Sequence, residues 1–170
     1  MRRLILIAAL VMGFVATATA QNYAVVDSEK IFKSIDAYNQ ALKQLDELAT
    51  KYQEEVDAKF EKVENLYNAY MQRKSTMSQA AQKANEDNII KMEEEATKFQ
   101  ESIFGTEGEL MKKRLELIQP IQKKVFAAIE EYAKQKGYDM IIDVAQNATM
   151  LYYSAKADKT TELIAILKAE

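Results

Sequence analysis

The chain has 170 residues, of which 29 % are charged, with 23 basic against 26 acidic side chains and neither histidine nor cysteine. The net charge of −3 is too mild and too mixed to imply a nucleic-acid partner. The missing residue types remove the commonest general base, the thiol nucleophile and the usual transition-metal ligands, and they rule out disulfides.

The first twenty residues stand apart from the fold. Arg2 and Arg3 precede an apolar run from Leu4 to Val15, and Ala18-Thr19-Ala20 supplies the small residues a signal peptidase accepts. This pattern predicts an export signal at 1–20, cleaved after Ala20. The stretch from Leu4 to Ala20 is shorter than the roughly 20 apolar residues of a membrane-spanning helix. No cysteine follows it to carry a lipid. Removing Arg2 and Arg3 leaves 21 basic and 26 acidic residues, net −5, in a single domain at 21–170.

Tyr23 to Val26 reads as a strand. From Asp27 to Gly137 the chain favours helix, interrupted only by Gly105, Gly108 and Pro120. Strands are predicted again at Tyr138 to Ala145 and Ala148 to Tyr153, joined through Gln146-Asn147 as a hairpin. A sheet made from both chain ends requires the middle to leave and return. The fold class is therefore α+β, a small sheet body (21–30 and about 120–170) with a long antiparallel two-helix coiled-coil arm (about 31–119).

Asp27 or Ser28 can cap the first helix. Its apolar positions are Ile31, Ile35, Tyr38, Leu42, Leu45, Ala49, Tyr52, Val56, Val63, Leu66 and Tyr70, with Lys59 the lone exception. They alternate spacings of four and three, the seam of a coiled coil. Ser28 to Arg73 as one helix would span roughly 70 Å. The turn falls near Arg73-Lys74-Ser75, and Thr76 and Gln79 have capping-box spacing. The seam returns at Ile89, Met92, Ala96, Phe99 and Ile103, then shifts register to Met111, Leu115, Ile118, Ile121, Val125, Ile129 and Tyr132. A register change explains Gly105 and Gly108 as a stutter with some bending, with a hinge that splays the arm as the alternative. Pro120 predicts a kink. Gly137 suits the end of the helix, and Asp158 or Thr160 caps a last short helix.

Little of this can support catalysis. No phosphate-binding or dinucleotide fingerprint occurs. Glu93, Glu94 and Glu95 fan out around a helix, and Asp139 and Asp143 on one strand would lie roughly 13 Å apart. No enzyme activity, cofactor or metal is expected. The arm tip is different: from Ala69 to Asn85 the chain carries Arg73, Lys74 and Lys83 and no acid, beside Tyr67, Tyr70, Met71 and Met77. Two readings stay open there. Either these residues finish the seam, or they hold unstructured polypeptide or anionic groups through adaptable apolar side chains and scattered cations. The body strands carrying Val25, Ile141 and Leu151 are too short to be stable alone, which points to self-association.

Two end segments resemble the Skp/OmpH-type periplasmic chaperones of Gram-negative bacteria. One is Tyr23-Ala24-Val25-Val26-Asp27-Ser28-Glu29-Lys30-Ile31-Phe32. The other is Gly137-Tyr138-Asp139-Met140-Ile141-Ile142-Asp143, continued by Tyr152-Tyr153 and the Asp158 to Leu167 helix. The order of parts matches over the whole mature chain. The resemblance implies a periplasmic homotrimer whose three arms enclose a cavity, and ATP-independent holding of unfolded outer-membrane proteins. Family members are strongly basic and this mature chain is acidic, which weighs against lipopolysaccharide or other anionic lipid as a partner. The competing reading is a coiled-coil spacer or tether of the cell envelope.

Overall fold

A computed structural model of the chain describes residues 22–146 and 149–169. The expected export signal lies outside them, as do Asn147 and Ala148. The elements in chain order are β1 (Tyr23–Val26), α1 (Ser28–Lys33), α2 (Asp36–Arg73), a 3-10 turn (Lys74–Thr76), α3 (Gln79–Phe104), α4 (Glu109–Lys136), β2 (Met140–Asp143) and α5 (Thr160–Ala169).

β1 and β2 pair in parallel, with Tyr23 opposite Met140 and Val26 opposite Asp143. Parallel strands cannot be joined by a tight turn and need a crossover; here the crossover is the whole arm. The Val25 N–H donates to the Ala157 carbonyl, and the Val25 carbonyl accepts from the Lys159 N–H, both at 2.9 Å. β1 is thus flanked on both edges, and Ala24, Val25 and Val26 are buried. Two aspartates clip β2 to the ends of β1. Asp139 accepts from the Asn22 N–H at 2.9 Å, and its own N–H donates to the Asn22 carbonyl at 2.7 Å. Asp143 accepts from the Ser28 N–H at 3.0 Å and the Ser28 hydroxyl at 2.5 Å, and also from the Ala145 N–H at 3.0 Å. Burial pushes the Asp143 carboxyl up, but these donors outweigh it and leave it below its ordinary value.

The predicted hairpin partner of β2 is not there. Among the described residues of Ala148 to Tyr153 none is in a strand, and β2 pairs only with β1. The available edge of β1 is taken instead by residues 157–159, while Leu151 and Tyr152 stand 95 % and 82 % exposed.

The core gathers Val26, Ile31, Val125, Ala128, Tyr132, Leu163 and Leu167, with Phe32, Ile35, Ile129, Tyr138, Ile141 and Ile164 packed around it. Residues from both chain ends therefore close over the C-terminal half of α4. Polar contacts lock the last helix onto that core. The Tyr132 hydroxyl donates to Glu162, Lys159 pairs with Glu162 at 2.7 Å, and the Asp27 N–H donates to the Thr160 hydroxyl at 2.9 Å. Burial first, and Glu162 second, push the Tyr132 hydroxyl well above the usual tyrosine value. Asp27 caps α1 through the Lys30 N–H, and Gly137 closes α4 in the left-handed conformation (φ 68°).

The first long helix is not continuous, as the periodicity suggested. Ile35 is extended (φ −96°, ψ 116°), so a short α1 belongs to the body and α2 starts the arm. The 38 residues of α2 span about 57 Å. At its start Ala41 is buried in place of Leu42, whereas farther along the expected seam holds, with Val56 and Tyr70 buried. Lys59 fits the seam because its Nζ lies 4.7 Å from the centre of the Phe99 ring, a cation–π contact between the two arm helices. On α3, Ala96 and Ile103 are buried and Ile89, Met92 and Phe99 half-buried, in the expected register.

At the glycines the helix breaks outright, which a stutter would not do. Gly105 ends α3 and Gly108 starts α4, both with extended ψ near 169°. A Cβ on Gly105 would collide with the Glu101 carbonyl, and one on Gly108 with the Ile103 carbonyl. Only glycine allows the chain to pass this close to its own preceding turn. The break also rotates α4: Ile118, Val125, Ala128 and Tyr132 turn inward while Met111 and Leu115 turn outward. α4 continues through Pro120, which sits on its exposed side.

Leu163, at 0 % exposure, is part of the core. Truncating Leu163→Ala should cost about 2–5 kcal/mol through lost transfer energy and the residual cavity. Urea unfolding followed by circular dichroism reads this as a lower midpoint.

Candidate functional site

Among the described residues no group of three or more His, Cys, Asp or Glu could hold a metal ion, and no helix is long and apolar enough to cross a membrane. The side chains that could contact another molecule are exposed apolar ones. Leu66, Tyr67, Met71 and Ile90 lie toward the arm tip, Leu42, Phe104, Met111 and Leu115 farther along the arm, and Tyr23, Phe126, Met140, Leu151, Tyr152 and Ile166 on the body.

The tip is built by hydrogen bonds that reverse the chain. The Thr76 hydroxyl donates back to the Arg73 carbonyl at 2.9 Å. It therefore closes the 3-10 turn, and the capping box expected of Thr76 and Gln79 does not form. Ser78 caps α3 instead, accepting from the Ala81 N–H at 3.3 Å. Gln82 spans the turn, donating to the Lys74 and Met77 carbonyls at 3.0 and 3.2 Å. These contacts satisfy backbone groups that two helix ends would otherwise leave open.

Below the turn, the Tyr70 hydroxyl donates to Glu86. Lys74 pairs with the same carboxylate at 3.2 Å and lies 5.2 Å from the centre of the Tyr70 ring. The hydroxyl of Tyr70 first, then the ammonium of Lys74, hold Glu86 below the ordinary glutamate value. Desolvation first, then Glu86, push Tyr70 up; Tyr70 first, then Glu86, push Lys74 up. An open cleft of about 400 Å³ lies over this triad, lined by Tyr67, Tyr70, Met71, Lys74, Glu86, Ile89 and Ile90.

The seven tip residues singled out from the sequence separate into different positions. Tyr67 and Met71 are half exposed on the cleft wall, whereas Tyr70 is its buried floor. Lys74 is charge-paired with Glu86. Met77 is half-buried in the turn, where its sulfur accepts a long 4.0 Å contact from the Asn85 amide. Arg73 and Lys83 are exposed and are not part of the cleft lining. Glu86 and Ile90 went unread in the sequence. The signal for Ile90 was present, since it is apolar next to the seam residue Ile89 and so must face outward. Glu86 gave none: it lies one residue past the acid-free stretch, and only the hairpin returns it to Lys74.

The three body residues also differ. Val25 is fully buried in its own chain and Ile141 packs on the core, but Leu151 is almost entirely free of contacts within the chain. Tyr23 and Met140, opposite each other in the sheet, are also about half exposed. Where arm meets body, Phe32 packs on Tyr38 (5.2 Å between centroids) and edge-on to Phe126 (6.3 Å), and Phe126 remains 58 % exposed.

The family profile described as outer membrane protein (OmpH-like) matches residues 22–167, nearly all of the chain. The chain belongs to the OmpH-like family. No curated protein sequence matches it significantly. Among solved structures it is similar to an OmpH-like protein of Caulobacter crescentus CB15, named as an outer membrane chaperone and determined at 2.83 Å. The TM-score is 0.66 at 14 % identity, covering 89 % of this chain and 86 % of that one. This OmpH-like chain therefore keeps the family fold while little of its sequence coincides with that relative.

Glu86 yields a pH prediction. Its folded pKa is depressed, so its stabilisation of the tip is complete above the ordinary glutamate value of about 4.3 and is lost as pH falls through the lower folded value. Amide exchange at residues 70–86 should accelerate across that acid window, relative to the body. Glu86→Gln should remove the acid step, which exchange monitored by NMR would detect.

Proposed function

We propose that this OmpH-like protein is a non-enzymatic, ATP-independent holdase of the periplasm that binds unfolded outer-membrane proteins and keeps them from aggregating. The observation that carries this reading is a long arm bearing half-exposed Tyr67, Met71 and Ile90 at its tip, in a chain of the OmpH-like family. Holding unfolded chains calls for many weak apolar contacts that tolerate varied partners, and Met and Tyr supply them. Arg73 and Lys83 add a steering charge, Lys74 is paired with Glu86, and Met77 and Tyr70 support the turn. The name of the Caulobacter relative supports the chaperone role, and the signal-like first twenty residues support export. The break at Gly105–Gly108 speaks against a stiff spacer.

The working form in this reading is a homotrimer built on the body. A two-strand sheet is marginal by itself, β2 has one edge without a partner strand among the described residues, and Leu151 and Tyr152 are strongly exposed.

An outer-membrane β-barrel protein unfolded in urea and then diluted should stay in solution with the chain present and scatter light without it. Equal scattering in both samples would refute the holdase. Leu151→Asp should shift the protein toward smaller species by multi-angle light scattering while its helix content is kept, because Leu151 is 95 % exposed in the single chain. A parent protein that is a folded monomer at micromolar concentration would refute the trimer.

A further inference from the structure

The geometry points to the tip cleft as a socket for a single aromatic or large aliphatic side chain, presented by an extended polypeptide segment with acidic neighbours. This rests on the holdase reading and narrows it to one side-chain class at one place.

Size is the first reason. At about 400 Å³ the cleft falls at the small end of ligand sites, suited to a side chain and too small for a packed helix. The second reason is preorganisation. The floor is held from three directions: by the Tyr70–Glu86 hydrogen bond, by Lys74 over the Tyr70 ring, and by Gln82 across the turn. Little ordering is left to oppose binding. The walls, Tyr67, Met71 and Ile90, are each about half exposed.

Charge decides what enters. Lys74 and Glu86 neutralise each other at 3.2 Å, so neither sign of charge finds an uncommitted counter-ion at the cleft itself. The occupant is therefore apolar. Outside the cleft the balance changes, because Arg73 and Lys83 are exposed and no acid lies between Ala69 and Asn85. Carboxylates flanking the inserted side chain meet this positive collar. An anionic lipid surface fits less well. Polybasic lipid sites gather about 4–8 Lys or Arg, and this tip has three cations, one of them committed to Glu86. Glu86 thus acts as a specificity-determining residue that keeps the socket neutral.

The test uses the full protein and a short fluorescent Gly/Ser peptide with one central Phe between two Asp, read by anisotropy. Binding should weaken about tenfold when the central Phe becomes Ser, and similarly with Ile90→Ser, a change on an exposed position that spares the fold. Glu86→Gln should release Lys74 and narrow the preference for a central Phe over a central Asp. A merely structural Glu86 would weaken both peptides equally, and that result would overturn its role. Equal binding of the Phe and Ser peptides, parent-like binding by Ile90→Ser, or capture of phosphatidylglycerol vesicles in preference to the peptide would each overturn the socket. Suppressed barrel aggregation without peptide binding sinks the socket and keeps the holdase. Peptide binding without suppression does the reverse.

Discussion

Everything in this molecule hangs on β1 lying between two segments from the far end of the chain. Its register with β2 brings Tyr23 to Met140, and its other edge receives Ala157 and Lys159. Four residues of strand could not hold that arrangement alone. Asp139 and Asp143 secure it at both ends by accepting backbone hydrogen bonds from Asn22 and Ser28, and Leu163 and Leu167 cover it from α5. Because the partners are more than a hundred residues apart, pairing them obliges the intervening chain to turn back. The arm follows from the topology of the sheet.

The arm itself is a thin structure, with one apolar seam and no second layer. Small residues at Ala41 and Ala96 let the helices approach, and Val56, Tyr70 and Ile103 fill the gaps between them. The stability of such a pair is local, since each turn meets only the turn opposite. What makes the arm more than a rod is the departure from regularity at Gly105–Gly108. There the chain leaves one helix and enters another with its apolar face rotated, so Met111 and Leu115 look outward.

Charge is used in two ways along the chain. Most ion pairs join residues three or four apart on one helix and are exposed, which adds little to stability. Two pairings have a different character because a tyrosine joins them: Tyr132 with Glu162 and Lys159 in the body, and Tyr70 with Glu86 and Lys74 at the tip. Each links segments distant in sequence, and each sits at one end of the long crossover. The body triad fastens α5 to the core, and the tip triad firms the floor of the cleft.

Periodicity and punctuation in the sequence were enough to establish the two-helix arm, its turn near Arg73–Ser75, the α3 seam, a cap at Asp27 or Ser28, the stop at Gly137 and the pairing of chain ends. Each of these depends on local chemistry: spacing of apolar side chains, a short acceptor beside free N–H groups, or a left-handed turn that glycine tolerates. Tertiary structure decided the rest, because it depended on contacts between distant residues. Only packing showed that β1 takes 157–159 as its second neighbour and leaves Leu151 bare, that Asp139 and Asp143 are strand clips, and that Lys59 rests on Phe99. Only steric crowding by the preceding carbonyls turned Gly105 and Gly108 from a shift in register into a break. The tip cleft needed both sources: Tyr67, Met71 and Lys74 were conspicuous in a stretch without acids, but Glu86 enters the site through the hairpin alone, and no spacing rule along one helix could bring it there.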